Sequence, residues 1–350
     1  MTNASALTAL QSLNATNKAL EMTQTRISTG YRVAEASDNA AYWSIATTMR
    51  SDNAALSTVQ DSLGLGASKV DTAYTGMNKA LDTVDQIKVK LVAAYMGTPA
   101  VKEKIQVEIA ALQAQMKSYA EAATFSGSNF LSVTSKQVAA ANDGVQADAK
   151  IVSTFNRSSA GVASLGTIDI DVESIKLFDK GLAAEVKNFG MLDRQTSVYS
   201  TAAAQELYDV AYAASIAGGG TDIAANTAGQ TAAGAVTKID NISVFNLDIT
   251  AAGVTDDIIA NLIDKVDTVL GQLTNAATKL GSAKKQVDLQ KTFTTSLMDS
   301  IERGVGQLVD ADMNKESTRL QALQVQQQLG IQALSIANSN SQSILTLFRN

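Results

Sequence analysis

Two carboxylates stand close together in "VDADMNKES", at Asp310 and Asp312. Carboxylate oxygens hold Ca²⁺, yet the run lacks the glycine and the closing Glu that an EF-hand loop sets at fixed spacing. Capping of a following helix by Asp310 or Asp312 is the better reading. "GLGAS", from Gly64, has no Lys-Ser or Lys-Thr behind its glycines, so it is not a phosphate loop. It reads as a flexible or closely packed turn of helix. The rest of the inventory is short, because the 350 residues include no His and no Cys. Ser-His-Asp and Cys-His catalysis are excluded, and so are disulfides and thiolate metal sites. Carboxylate-only catalysis, or a Ca²⁺ or Mg²⁺ site made of oxygens, survives the inventory without being favoured by the composition. No enzyme, cofactor or metal site is expected.

The stretch most visibly built for something is "GYRVAEASDNAAYWSIATTMR", from Gly30 to Arg50, which holds the one Trp, Trp43. Gly30 suits the end of one helix. Ser37 and Asp38 suit the cap of another that begins near Asn39. Two readings stand. Tyr42, Trp43, Ile45 and Met49 pack inside a helix–turn–helix, or the segment is a contact surface for another copy or a partner.

The elements around these residues are long and helical. Hydrophobic residues make up 45% and aromatics only 5%, with a single Pro; small and branched residues of this kind pack long helices. A net charge of −6 and a pI near 4.9 argue against nucleic acid, whose binders carry a basic face. No run approaches the roughly 18 apolar residues of a membrane span, and the N-terminus lacks the basic start and apolar block of a secretory signal. From Leu63 an apolar seam steps three and four residues at a time through Gly66, Val70, Ala73 and Met77 to Ala94. It should stop near "YMGTPA", with Gly97 ending one helix and Pro99 starting the next. Ile105, Ile109, Leu112, Met116 and Tyr119 form a returning stripe. A second long seam runs from Ile259 through Leu262, Val266 and Leu273 to Val287, and a third helical stretch covers about 301–348.

Between about 125 and 250 the pattern changes. "GTIDIDV" and "ISVFNLDIT" alternate as half-buried strands do. "STAAAQELYDVAYAASIA" suits a short helix, and "AGGGTDIAANTAGQTAAG" reads as an exposed loop. An apolar stripe must be buried against something. The simplest solution joins the two ends in one bundle and pushes the middle out as a lobe. The extreme ends are weaker. Leu7, Leu10, Leu13, Leu20 and Ile27 lie among Ser, Thr and Asn, and Leu320, Leu323, Ile331 and Leu334 lie among Gln and Asn, before "ILTLFRN" with Ile344, Leu347 and Phe348. These stripes are too polar to hold alone. They are ordinary bundle helices, or segments that order when several copies bury their faces together.

"TQTRISTGYRVAEASDNAAYWSIATTMRSDN" resembles the N-terminal signature of bacterial flagellins, and "LVDADMNKESTRLQALQVQQQLGIQALSIANSNSQSILTLFRN" resembles their C-terminal one. The wording of the first is similar to that of rhizobial and related alphaproteobacterial flagellins. The resemblance implies a mainly α fold: a long antiparallel coiled-coil bundle formed by both termini, with a small α+β central lobe projecting outward. It implies that residues 1–36 with 314–350 form inner-core helices. Residues 37–175 with 248–313 would form a helical layer with a β-hairpin, and 176–247 a small outer domain. The function implied is that of a self-assembling subunit of the flagellar filament, a helical propeller for swimming. The alternative is a flagellin-like junction protein, adhesin or polysaccharide binder. Implied partners are other copies, sister flagellins, an export chaperone, the filament cap and hook-junction proteins, with type III export to an extracellular filament and no membrane partner. Candidate interface residues are the terminal apolar positions named above, with Arg32, Asp38, Asn39 and Trp43 at a joint between layers. The zinc-protease insert of some flagellins needs an H-E-x-x-H helix, and a chain without His has none.

Overall fold

The stretches free of Pro and rich in Ala and Leu fold as the longest elements of the chain. The computed structural model describes residues 4–135, 145–158, 161–181, 189–234 and 238–347. Helix α1 is Ala4–Thr29, α2 Ala40–Ala94 and α3 Pro99–Ala122. Short strands follow: β1 Thr124–Phe125, β2 Ser128–Asn129, β3 Ser132–Val133, β4 Ala149–Arg157, β5 Ala163–Ile170, β6 Phe178–Asp179 and β7 Thr196–Tyr199. Then come α4 Ala202–Ala217, α5 Asp222–Ala233, β8 Lys238–Ile242, α6 Asp256–Val309 and α7 Met313–Leu347. The chain divides into two compact units, a smaller one of residues 1–57 and 295–350 and a larger one of 58–294, with α2 and α6 contributing to both.

In the larger unit every position of the α2 seam from Leu63 to Ala94 is buried. Leu262, Val266, Leu273, Leu280 and Val287 of α6 join the same core, as do Ile109 and Met116 of α3. Lys88 of α2 pairs with Asp267 of α6, and Lys284 with Asp71 at 2.6 Å, so the two helices run antiparallel. The "GLGAS" turn is helical and tightly packed: a Cβ at Gly66 would meet Ile151 Cγ2 of β4 at 2.5 Å. At the α2–α3 turn the left-handed residue is Met96 (φ 58°) and not the expected Gly97, while Pro99 opens α3 as expected.

The middle of the chain departs from two expectations. "GTIDI" does lie in β5, antiparallel to β4, and α4 forms where a short helix is expected. "ISVFNLDIT" is not a strand beyond Ile242. Its backbone is satisfied by two glutamines of α3: Gln113 Nε2 donates to Val244 O and Leu247 O, both at 3.0 Å, and Ile249 N donates to Gln106 Oε1 at 3.0 Å. The expected loop at 217–234 is instead largely α5. Thr221 caps it by accepting from Ala224 N at 3.2 Å, and Gly234 ends it at φ 73°. Gly229 is a packing residue there, since a Cβ would fall 2.5 Å from the Tyr208 ring of α4.

The same unit holds a buried ionic cluster. Lys176 Nζ sits 2.8 Å from Asp179 Oδ2 and 2.9 Å from Glu173 Oε2. Asp179 Oδ1 accepts from Ser135 N and Gly181 N. Asp193 Oδ2 accepts from Asp179 N at 2.9 Å, while Asp193 Oδ1 is buried without a partner. Burial, helped by the neighbouring Asp179 charge, pushes the Asp193 carboxyl up to about 6.

Candidate assembly surfaces

In the smaller unit α1 and α7 pack against each other along their lengths. Arg26 Nη1 lies 3.4 Å from Glu316 Oε1, Gln327 Nε2 donates to Asn17 Oδ1 at 2.8 Å, and Leu13 reaches Gly330, where a Cβ would stand 3.1 Å from Leu13 Cδ1. Numbers rise on one helix as they fall on the other, so the pair is antiparallel. The covered positions of α1 include Ala9, Leu13, Thr16, Leu20, Thr23 and Ile27, and those of α7 include Glu316, Leu320, Leu323, Gln327, Gly330 and Leu334. Both sets step three and four apart, the spacing of a helix pair. Large residues alternate with small ones on α1. The seam carries polar members, and Thr16 satisfies its hydroxyl on Ser12 O at 2.9 Å.

The pair also carries apolar residues on its outside. On α7, Val325, Leu329 and Ile336 are 55%, 58% and 66% exposed and lie on one side of the helix away from the seam. Ile331 is exposed, as are Leu7, Leu10 and Met22 of α1. Of the sequence candidates, Leu13, Leu20, Ile27, Leu320, Leu323 and Leu334 therefore belong to the seam within this chain, and Leu7, Leu10 and Ile331 face outward. Ile344 and Leu347 fall in α7, but their side chains lie outside the described residues, as does Phe348 altogether. Sequence reading passes over Val325, Leu329 and Ile336. Their four- and seven-residue spacing inside the Gln-rich run is the signal that finds them.

The segment from Gly30 is fastened to the end of α6. Gly30, at φ 76°, takes the left-handed conformation that ends α1. Arg32 N donates to Val309 O at 2.6 Å and Arg32 Nη2 to Leu308 O at 2.9 Å, while Ala311 N donates to Gly30 O at 2.8 Å. Val33, Ala46, Val305 and Val309 close a small core beneath it, with Met49 half-buried against them. The expected caps differ in detail. Asp38 Oδ2 accepts from Ala34 N and Glu35 N, within its own turn, and Asn39 caps α2 by accepting from Tyr42 N at 3.1 Å. Ser37 Oγ donates to Glu35. Asp312 caps α7 through Asn314 N and Lys315 N, whereas Asp310 bridges to Tyr31. Tyr42, Trp43 and Ile45 are 40%, 38% and 49% exposed, so of the four residues that the packed reading places inside, only Met49 packs there. Arg50 lies over the Tyr31 ring at 4.7 Å.

Among the described residues no three acidic side chains gather as a metal site, and no helix is long and apolar enough to cross a membrane. The smaller unit is thus a helix pair packed along one side, with exposed apolar residues elsewhere on both helices and exposed aromatics in the segment after Gly30. Residues 1–151 match the bacterial flagellin N-terminal helical region and residues 263–348 the bacterial flagellin C-terminal helical region. Flagellin C of Rhizobium meliloti strain 1021 is 45% identical, the match covering 100% of this chain and 98% of the relative. The flagellin of Brucella melitensis biotype 1 is 44% identical over 100% of this chain and 98% of its own length. Flagellin A of Rhizobium meliloti is 43% identical over an alignment of 404 positions, covering 100% of this chain and 99% of that one. The chain belongs to the bacterial flagellins, the structural, non-catalytic subunits of the flagellar filament.

Proposed function

We propose that this flagellin builds its filament chiefly through the outer faces of α1 and α7. Val325, Leu329, Ile331 and Ile336, with Leu7, Leu10 and the C-terminal Ile344, Leu347 and Phe348, close against other copies. Leu13, Leu20, Ile27, Leu320, Leu323 and Leu334 hold each copy's own pair in register. The observation that carries this reading is the second apolar face of α7. Isolated helices are marginal in water, and a face of about 20 Å left wet is unfavourable until another copy covers it. The stretch with Arg32, Asp38, Asn39 and Trp43 is the joint. Its backbone is pinned to the end of α6 while Tyr42, Trp43 and Ile45 remain available for neighbours.

On this reading residues 1–36 with 314–350 line the inside of the filament. Residues 37–175 with 248–313 form the layer around them, and 176–247 form the outer surface. Like other members of its family, the chain is then handed by an export chaperone to the flagellar type III apparatus. It polymerises outside the cell between hook-junction proteins and the cap, alone or with sister flagellins.

The test is negative-stain electron microscopy of purified monomer after addition of sheared filament seeds. Long filaments are expected, and they are lost on deletion of residues 320–350. Monomer that stays monomeric with intact termini, with and without sister flagellins, points instead to a junction protein or adhesin.

A further inference from the structure

A cavity of about 190 Å³ lies inside the larger unit, between α6 and the strands β7 and β8. Its walls are mostly apolar, with Val198 of β7, Ile242 of β8 and Leu262 and Val266 of α6 among them. An apolar cavity of about 150 Å³ stays dry and takes up benzene, so this space admits a small apolar body. The helices α1 and α7 contribute nothing to its lining.

The charges on the wall are all of one sign. Arg194 and Lys265 line the cavity, and among the described residues no acidic side chain does, in a chain whose net charge is −6. Lys265 is paired with Asp209. Arg194 is less well provided for. The acid beside it is Asp222, whose Oδ1 already accepts from Tyr212 Oη at 2.8 Å and whose Oδ2 accepts from Phe189 N at 2.6 Å. Arg194 Nε stands 3.4 Å from that Oδ2 and is buried without a hydrogen bond. A guanidinium carries five donors, and a buried donor left unmade is unfavourable.

We propose that this cavity binds a small organic carboxylate with an apolar body, about the size of benzoate. The body fills the space against Ile242 and Val266, and the carboxylate lies on Arg194. The fork of the guanidinium matches a carboxylate, and a hydrogen bond between two charged groups is of the strong kind. Each half of the ligand answers one half of the site. A neutral apolar molecule leaves Arg194 as it is, and an ion without an apolar body leaves the cavity empty. The site belongs to the single chain, so the inference does not depend on the filament reading.

The test titrates benzoate into purified, methyl-labelled monomer and follows the methyl signals by NMR. Saturable shifts are expected with a Kd of about 1 mM or tighter, a strength within reach of about nine non-hydrogen atoms. Nuclear Overhauser contacts from the ring protons should reach the methyls of Val198, Leu262 and Val266. Benzyl alcohol and acetate, which each keep one half of the ligand, should bind at least about tenfold more weakly. Arg194→Gln should bring benzoate down to the level of benzyl alcohol, and Val266→Phe, which fills the cavity, should abolish its contacts. No saturation by about 20 mM, twentyfold above the expected Kd, overturns the inference. So do contacts to methyls elsewhere in the chain, and so does benzyl alcohol binding as tightly as benzoate. Should either variant fail to fold, the wild-type contacts and the comparison of the three ligands decide alone.

Discussion

Asp193 is a carboxylate whose surroundings favour its neutral form. One oxygen is buried without a partner, and the charge of Asp179 is next to it. With the folded value at about 6 against 3.8 for the free side chain, the folded state holds the proton more tightly between those values. The sign follows: where the folded chain binds more protons than the unfolded one, stability falls as pH rises. The shift of about two units corresponds to roughly 3 kcal/mol, all of it present below pH 4 and gone above pH 6. Glu121 and Asp256 are held below their usual values, first by hydrogen bonds from Lys180 and Lys102, so their effects fall at lower pH and do not mask this window. Urea unfolding of the monomer from pH 4.5 to 7 should show the midpoint dropping with rising pH. Asp193→Asn should flatten that slope whether or not it shifts the absolute stability, and an unchanged slope in the variant would remove Asp193 as its source. Lys176 is the opposite case. It is fully buried between Glu173 and Asp179, so Lys176→Met leaves two acids uncompensated and should cost about 3–5 kcal/mol at pH 7.

The long helices of this chain differ in what each glycine does, and that difference can be measured. In α2 a Cβ at Gly76 would stand 2.8 Å from both Ala123 Cβ and Leu131 Cδ1, while one at Gly64 would meet nothing within 4 Å. Ala123 Cβ cannot move without its backbone. Gly76→Ala should therefore destabilise by about 1–3 kcal/mol through overpacking. Gly64→Ala should stabilise by roughly 0.5–1 kcal/mol through helix propensity. Thermal melts followed by circular dichroism separate the two, and equal shifts would contradict the packing at Gly76. Helices of this kind are legible in sequence because a three-and-four spacing leaves one buried solution: each α2 seam position from Leu63 to Ala94 is covered. The middle was harder to read for identifiable reasons. The glycine at 229 looks like a loop residue but makes room for Tyr208. The alternation in "ISVFNLDIT" mimics a strand because nothing local reveals Gln106 and Gln113, more than a hundred residues earlier, as the partners of its backbone. In the joint, the one-residue choice of cap among Ser37, Asp38 and Asn39 depends on turn geometry that composition does not fix. For Trp43 the sequence leaves a packed and an outward reading open, and the structure separates them by burying Ala46 while Trp43 stays 38% exposed.

For the molecule as a whole, folding and assembly draw on different faces of the same helices. The α1–α7 seam contains Thr16, Thr23, Gln327 and Gly330 among its apolar members, so it is a weak pair by composition. Its outer face is strongly apolar at Val325, Leu329 and Ile336, all more than half exposed. Substitutions on the two faces should thus separate the two events. Val325→Lys with Leu329→Lys removes only exposed apolar surface from the monomer, and exposed substitutions usually change stability by less than about 0.5 kcal/mol. The same pair of substitutions buries two unpaired charges wherever another copy covers the face, at several kcal/mol each. The expected outcome is a monomer with an unchanged melt that fails to elongate seeds at any salt concentration. Salt is the informative control. With a net charge of −6 on every copy, wild-type elongation should quicken as ionic strength rises and repulsion between copies is screened over about 8–10 Å. The double variant lowers that net negative charge, so repulsion alone would predict faster growth. A variant that elongates as well as wild type would show the outer face of α7 to be free in the filament, and the contact would then have to be sought on α1 or at the joint around Trp43.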